Sequence, residues 1–132
     1  MIKIKHIAIW ANDIERLRLF YQKYFGAKAN SKYTNSKTGF QSYFLSFSSE
    51  AKLEIMQRPD IMAIENRKRS DQEFIGYAHL AISVGSEKLV DKYTKQLILD
   101  GFQVLDGPRY TGDGFYESVI LDPENNRIEI TT

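Results

Sequence analysis

With 132 residues, the chain is sized for one compact domain that needs no covalent staple. A net charge of +1 supplies no field to recruit nucleic acid or an anionic membrane, and a cysteine count of 0 excludes disulfides, thiolate catalysis and cysteine-bound zinc. Residues 1–10 alternate polar and apolar side chains and lack the continuous apolar run of a signal peptide, and no stretch approaches membrane-span length, so a cytoplasmic protein is expected.

The first expected element is a strand over residues 2–10, with Ile7 and Ile9 on one face and His6, Ala8 and Trp10 on the other. Asn12 or Asp13 then caps a helix in which Ile14, Leu17, Phe20, Tyr21 and Tyr24 recur at helical spacing, and Gly26 suits the left-handed position that ends it. Strands follow near 27–33, 40–47 and 52–57. Pro59 opens a charged linker in which 60–68 has the composition of a short helix, and its Arg67-Lys68-Arg69 run is too short to argue a nucleic-acid site. The series then begins again. A strand over 77–84 leads to Ser86 as cap, to a stripe of Leu89, Val90, Tyr93, Leu97 and Ile98, and to Gly101 as stop. Strands near 102–110, 115–121 and 127–131 complete it, the last two joined by the turn-forming run Asp122-Pro-Glu-Asn-Asn126.

The second series copies the first. His6-Ile-Ala-Ile9 lies over His79-Leu-Ala-Ile82 at an offset of 73; Gly26 lies over Gly101, Gly39-Phe40 over Gly114-Phe115 and Leu53-Glu-Ile55 over Ile128-Glu-Ile130 at an offset of 75. An insertion of two residues before Gly101 accounts for the change. The chain therefore reads as an α+β domain of tandem βαβββ modules: module 1 (1–57), a linker (58–75) and module 2 (76–132).

Strand alternation puts Leu53, Ile55, Ile128 and Ile130 on the helix side, so Glu54 and Glu129 face the open side with the histidines. A lone strand histidine is usually a hydrogen-bonded structural residue, and a lone glutamate is usually solvated. Here the chain has only 2 histidines, both at one repeat position, each followed 48 or 50 residues later by a glutamate on the matching face. The coincidence points to one divalent-metal site formed by His6, Glu54, His79 and Glu129. Two imidazoles and two carboxylates suit a borderline-hard ion.

The opening pattern His6-x-Ala-Ile9, Phe20-Tyr21 and Phe25-Gly26, together with Gly112-Asp-Gly-Phe-Tyr116 and the closing Asp122-Pro-Glu-Asn-Asn-Arg-Ile-Glu129, resembles the vicinal oxygen chelate superfamily, and within it glyoxalase I (lactoylglutathione lyase). The resemblance covers the chain apart from the linker. It implies the glyoxalase/bleomycin resistance/dioxygenase fold, in which paired modules form a curled mixed sheet around a metal. The His/Glu/His/Glu set is similar to that of bacterial enzymes that prefer nickel or cobalt, with zinc, manganese and iron as alternatives. The implied reaction converts the hemithioacetal of a 2-oxoaldehyde and a thiol, glutathione or another, to a 2-hydroxyacyl thioester by proton transfer through an enediolate. Glu129 is the first choice for the base, with Glu54 as its symmetric partner. A homodimer acting on a small molecule is implied as well.

The sequence also departs from that pattern. Trp10 stands where many relatives have an arginine that holds the glutathione carboxylate, Asn125 stands where the closing motif usually has glycine, and the linker is long. Trp10 thereby becomes a candidate substrate contact. Met56 shares the ligand parity, and Arg58, Arg109, Tyr110 and Tyr116 lie near strand ends, where ordinary sheet packing is the competing explanation. Other readings stay open: an epimerase, an extradiol dioxygenase, a fosfomycin-type thiol transferase, or a non-enzymatic drug-binding resistance protein.

Overall fold

The computed structural model describes residues 1–63 and 73–132. The chain divides into two compact units, Met1–Ile64 and Glu65–Thr132. Unit 1 holds strand β1 (His6–Trp10), helix α1 (Ile14–Phe25) and strands β2 (Lys28–Ala29), β3 (Tyr33–Asn35), β4 (Phe40–Ser46) and β5 (Lys52–Gln57). Unit 2 holds β6 (Leu80–Ser83), α2 (Glu87–Leu99), β7 (Val104–Tyr110), β8 (Tyr116–Leu121) and β9 (Arg127–Thr131). The fold is α+β with tandem modules, and each unit has its own mixed sheet: β1-β5-β4-β2 with β3 also on β4, and β6-β9-β8-β7. In both units the first strand pairs parallel with the last, and the remaining pairings are antiparallel.

Helix ends follow the expected chemistry. Asp13 rather than Asn12 is the first cap, its carboxylate accepting from the backbone N–H of Glu15 and Arg16. Gly26 closes α1 at φ +66°. Ser86 caps α2 by accepting from Leu89 N–H, and α2 stops at Leu99, one residue before Asp100 and ahead of Gly101 at φ +91°. Ile14, Leu17, Tyr21, Leu45, Leu53 and Ile55 form the buried seam of unit 1, and Val90, Leu97, Ile120, Ile128 and Ile130 that of unit 2.

Several expectations change. The strands expected over 2–10 and 77–84 are His6–Trp10 and Leu80–Ser83, so His79 stands one residue ahead of its strand, and Ile98, expected in the apolar stripe of α2, is exposed. The strand near 27–33 is two short strands, because an extra residue enters between the pairs Ala29↔Leu45 and Tyr33↔Ser42. Asn30 absorbs it: its side-chain oxygen accepts from Phe44 N–H while its own N–H donates to Phe44 O. A side-chain amide thus replaces a rung of the ladder, and composition alone does not announce that substitution. Ile7, expected against the helix, stays 41% exposed. Helix α1 lies over β2, β4 and β5, so the edge strand β1 falls outside its cover. In the linker, Pro59 and Asp60 form a turn and residues 61–63 are not helical, while the rest of the helix expected over 60–68 lies outside the described residues. Among the described residues no helix is long and apolar enough to cross a membrane.

Unit 1 carries a charged cluster on the helix side of its sheet. Glu15 accepts from the Tyr43 hydroxyl at 2.6 Å and from Arg18 at 2.8 Å, and lies 3.0 Å from the Lys32 ammonium. These contacts, the Tyr43 hydrogen bond foremost, hold the Glu15 carboxyl down at about 2. A carboxylate with a depressed folded-state pKa stabilises the fold above its unfolded value near 4.5, and that contribution is lost as pH falls toward 2. Because the side chain is 43% exposed, solvent screening reduces the expected effect to about 1 kcal/mol. Glu15→Gln should lower stability at pH 7 by that amount and flatten the acid limb of a urea-denaturation series between pH 5 and 2. An unchanged limb would show that the cluster is only a surface decoration.

Gly107 fixes the geometry of β7. Its φ is +76°, and a Cβ built there would stand 2.5 Å from Glu117 O and 3.1 Å from Arg109 N. The register of β7 on β8 shifts twice around this point, which brings Arg109 opposite Glu117. Gly107→Ala should therefore cost about 3 kcal/mol from overpacking and left-handed strain together. A lowered urea midpoint with an unchanged slope would register it; a midpoint equal to wild type would mean that the backbone yields freely here.

Candidate metal centre

Each unit brings one histidine onto one glutamate by the same construction. In the parallel β1–β5 pair, Ala8 sits beside Glu54, and His6 lies two residues upstream on the same face. In the parallel β6–β9 pair, Ala81 sits beside Glu129, and His79 lies two residues upstream of it. His and Glu are therefore diagonal neighbours across a small residue, which leaves space in front of both side chains. The His6 Nε2–Glu54 Oε1 distance is 3.6 Å and the His79 Nε2–Glu129 Oε2 distance is 3.1 Å. The histidines are 39% and 43% exposed, whereas the glutamates are largely covered, at 15% and 20%. Half-buried carboxylates beside exposed imidazoles fit the donor chemistry of a divalent-ion site. Among the described residues no group of three or more His, Asp or Glu side chains is placed to hold a metal, so what each unit offers is a pair.

The surroundings of the two pairs differ. In unit 1 the residue opposite Glu54 on β4 is Phe44, whose ring stands edge-on to His6 at 5.2 Å. The same face carries Trp10, T-shaped to Phe40 at 6.0 Å, with Tyr33 against Phe40 at 6.0 Å. The Arg58 guanidinium lies 5.2 Å over the Trp10 ring and is also paired with Asp60. Trp10 is thus half-exposed on the open face where parity put it, with a cation stacked on it. A cleft of about 490 Å³ opens beyond this strand end, lined by Ala11, Gln41, Gln57, Arg58 and neighbouring residues, but neither His6 nor Glu54 lines it.

In unit 2 the open face is ionic. The position that is Ser42 in unit 1 is Glu117 here, buried to 9% exposure on β8 and diagonal to Glu129 on the same face. Burial, then the hydrogen bond and the negative charge shared with Glu129, raise the Glu117 carboxyl to about 7, against the lowering pull of Arg109. Arg109 in turn donates to Asp106 at 2.7 Å. Arg127, beside Glu129 on β9, pairs with Glu73. Tyr110 and Tyr116 donate to Glu87 and Asp91 of α2, so they tie the sheet to its helix and do not line the open face. The Asp91 bond pushes Tyr116 up to about 12. Glu117 lies outside the set of residues expected from sequence, although parity with Glu129 on the neighbouring strand is the signal that finds it.

The turn before β9 sets Glu129 in place. The buried Asp122 carboxylate accepts from Glu124 N–H, Asn126 N–H and the Asn126 side chain, and Asn125 adopts φ +64° where glycine would be usual.

A family model described as Glyoxalase/Bleomycin resistance protein/Dioxygenase superfamily matches residues 3–130. The chain belongs to this superfamily. Superfamily structures share its fold at low identity. A glyoxalase family protein from Enterococcus faecalis is 21% identical with a TM-score of 0.76, covering 98% of this chain and 97% of its own. The trypanothione-dependent glyoxalase I of Leishmania major is 20% identical with a TM-score of 0.76, covering 100% and 87%. A point variant of the fosfomycin resistance protein FosX from Listeria monocytogenes, complexed with Mn(II) and dihydroxypropylphosphonic acid, is 20% identical with a TM-score of 0.72, covering 99% and 93%. No curated protein gives a significant match.

Proposed function

We propose that this superfamily member is a metal-dependent enzyme of the glyoxalase I type, acting on the hemithioacetal of a 2-oxoaldehyde and a thiol. The observation that carries the reading is the doubled pair: His6 with Glu54 and His79 with Glu129, each built diagonally across an alanine on parallel strands. We read His6, Glu54, His79 and Glu129 as the ligands of a single divalent ion, since a pair alone falls short of the three or four protein ligands that usually hold one. The Mn(II)-bound FosX neighbour supports metal chemistry on this fold, and the glyoxalase I neighbour supports the reaction type. Nickel or cobalt is the favoured ion, and a homodimer the favoured assembly.

A bound ion supplies Lewis-acid stabilisation of negative charge on vicinal substrate oxygens. The protein's own groups do the rest. Glu129 takes the proton from the carbon beside the carbonyl and returns it to the neighbouring carbon, its covered carboxylate being partly shielded from water. Trp10, Phe40 and Tyr33 give the substrate an apolar wall, and Arg58 on Trp10 offers a cation to an anionic thiol. The fourth ligand sets this set apart from the drug-binding proteins and from dioxygenases with fewer protein ligands.

The test is metal analysis of the purified protein, followed by assay with methylglyoxal and glutathione in the presence of nickel, cobalt, zinc or manganese. Thioester formation with nickel or cobalt is expected. Metal binding without turnover under any of these conditions would discard the glutathione reaction, and failure to bind any metal would discard the site.

A further inference from the structure

We propose that Glu117 is a positioning residue for Glu129, which makes the two glutamate ligands inequivalent. This inference rests on the reading of Glu129 as a metal ligand. The repeat is broken at this place: the residue two positions before the one opposite the ligand glutamate is Ser42 in unit 1 and Glu117 in unit 2. A carboxyl group at 9% exposure is costly to bury, and the other buried polar groups of unit 2 have local structural partners. Asp122 is consumed by its turn, and Thr94 and Ser118 bond each other at 2.7 Å. Glu117 instead meets the side chain of Glu129.

The strand geometry aims that contact. Glu117 pairs with Thr131 and Val119 with Glu129, so Glu117 and Glu129 are diagonal neighbours on the open face. On its other side Arg109 stands opposite Glu117 in register, placed there by the shift of β7 around Gly107 and by its bond to Asp106. His79, Glu129, Glu117, Arg109 and Asp106 thus form a continuous row across unit 2. The corresponding row in unit 1 runs His6, Glu54 and then Phe44 and Ser42, and offers Glu54 no such carboxyl neighbour at this position. Outer groups that bond a ligand carboxylate fix its orientation and commonly strengthen metal binding.

The experiment uses the full chain, stripped of metal and titrated with cobalt(II), with affinity and the visible absorption of the bound ion as readouts. Glu117→Ala should weaken cobalt binding by about 10- to 100-fold and alter the absorption bands, since Glu129 loses its fixed orientation. Glu117→Gln, which keeps a hydrogen-bonding group of the same length, should stay within about threefold of wild type and keep the spectrum. Ser42→Ala, the matching change in unit 1, should leave both readouts unchanged. If Glu117→Ala does not fold, Glu117→Asp, which withdraws the carboxyl by one methylene, should show the same weakening. Wild-type affinity and spectrum in Glu117→Ala or Glu117→Asp would overturn this inference alone. Absence of cobalt binding in the wild-type chain would overturn the ligand assignment and this inference together.

Discussion

His79→Ala is expected to bind nickel or cobalt at least about a hundredfold more weakly than the wild-type chain, a larger loss than removal of an outer partner produces. As a ligand the imidazole would contribute a nitrogen donor that no described neighbour on the open face of unit 2 replaces in kind, because the groups there are carboxylates and guanidiniums. His6→Ala should show the same loss, and this symmetry is the informative part. If the two histidines serve one ion, either substitution removes one of four donors and the losses match. If each unit held its own ion, each variant would retain one intact pair and bind half the metal at undiminished affinity. Calorimetric titration of metal-free protein separates the outcomes by stoichiometry. The fold itself should survive both changes, since each histidine is about two-fifths exposed.

Glu129→Gln is the second large effect. The amide oxygen still coordinates an ion but cannot take a proton, so kcat should fall by about 10²- to 10⁴-fold at saturating metal, with little change in KM. Glu54→Gln should lower kcat far less if Glu129 is the base and Glu54 only holds the ion. Equal losses in the two variants would withdraw the assignment of Glu129 as base. Measurement at saturating nickel, with the metal content of each sample determined, keeps a binding defect from passing as a catalytic one.

The sequence displayed the parts of this molecule that obey a period. Strand parity at Leu53-Glu54-Ile55 and Ile128-Glu129-Ile130 put the aliphatic residues in the core and the glutamates outside it, and the structure buries the aliphatics to 3% exposure or less. The spacing of Ile14, Leu17 and Tyr21 and the cap at Asp13 likewise delimited α1. What could not be read depends on contacts between distant strands. Asn30 becomes part of a ladder only because Phe44 stands opposite it, and Arg109 reaches Glu117 only because Gly107 lets two strands approach. Glu117 itself was legible by parity, but the repeat that revealed the histidines hid it. Its counterpart is Ser42, and a comparison of copies rewards what they share.

The parallel pairing of first strand with last has one more consequence. His6 and Glu54 are 48 residues apart, and His79 and Glu129 are 50 apart, so neither pair exists until the closing strand of its unit has docked beside the opening one. A chain truncated before β9 keeps three of the four candidate donors and yet lacks the contact that aims the third. If the four candidates hold one ion, its capture would act as a proofreading step for synthesis: only molecules whose strand ends have met would retain the metal, and the retained ion would then stabilise the native state by mass action against unfolding.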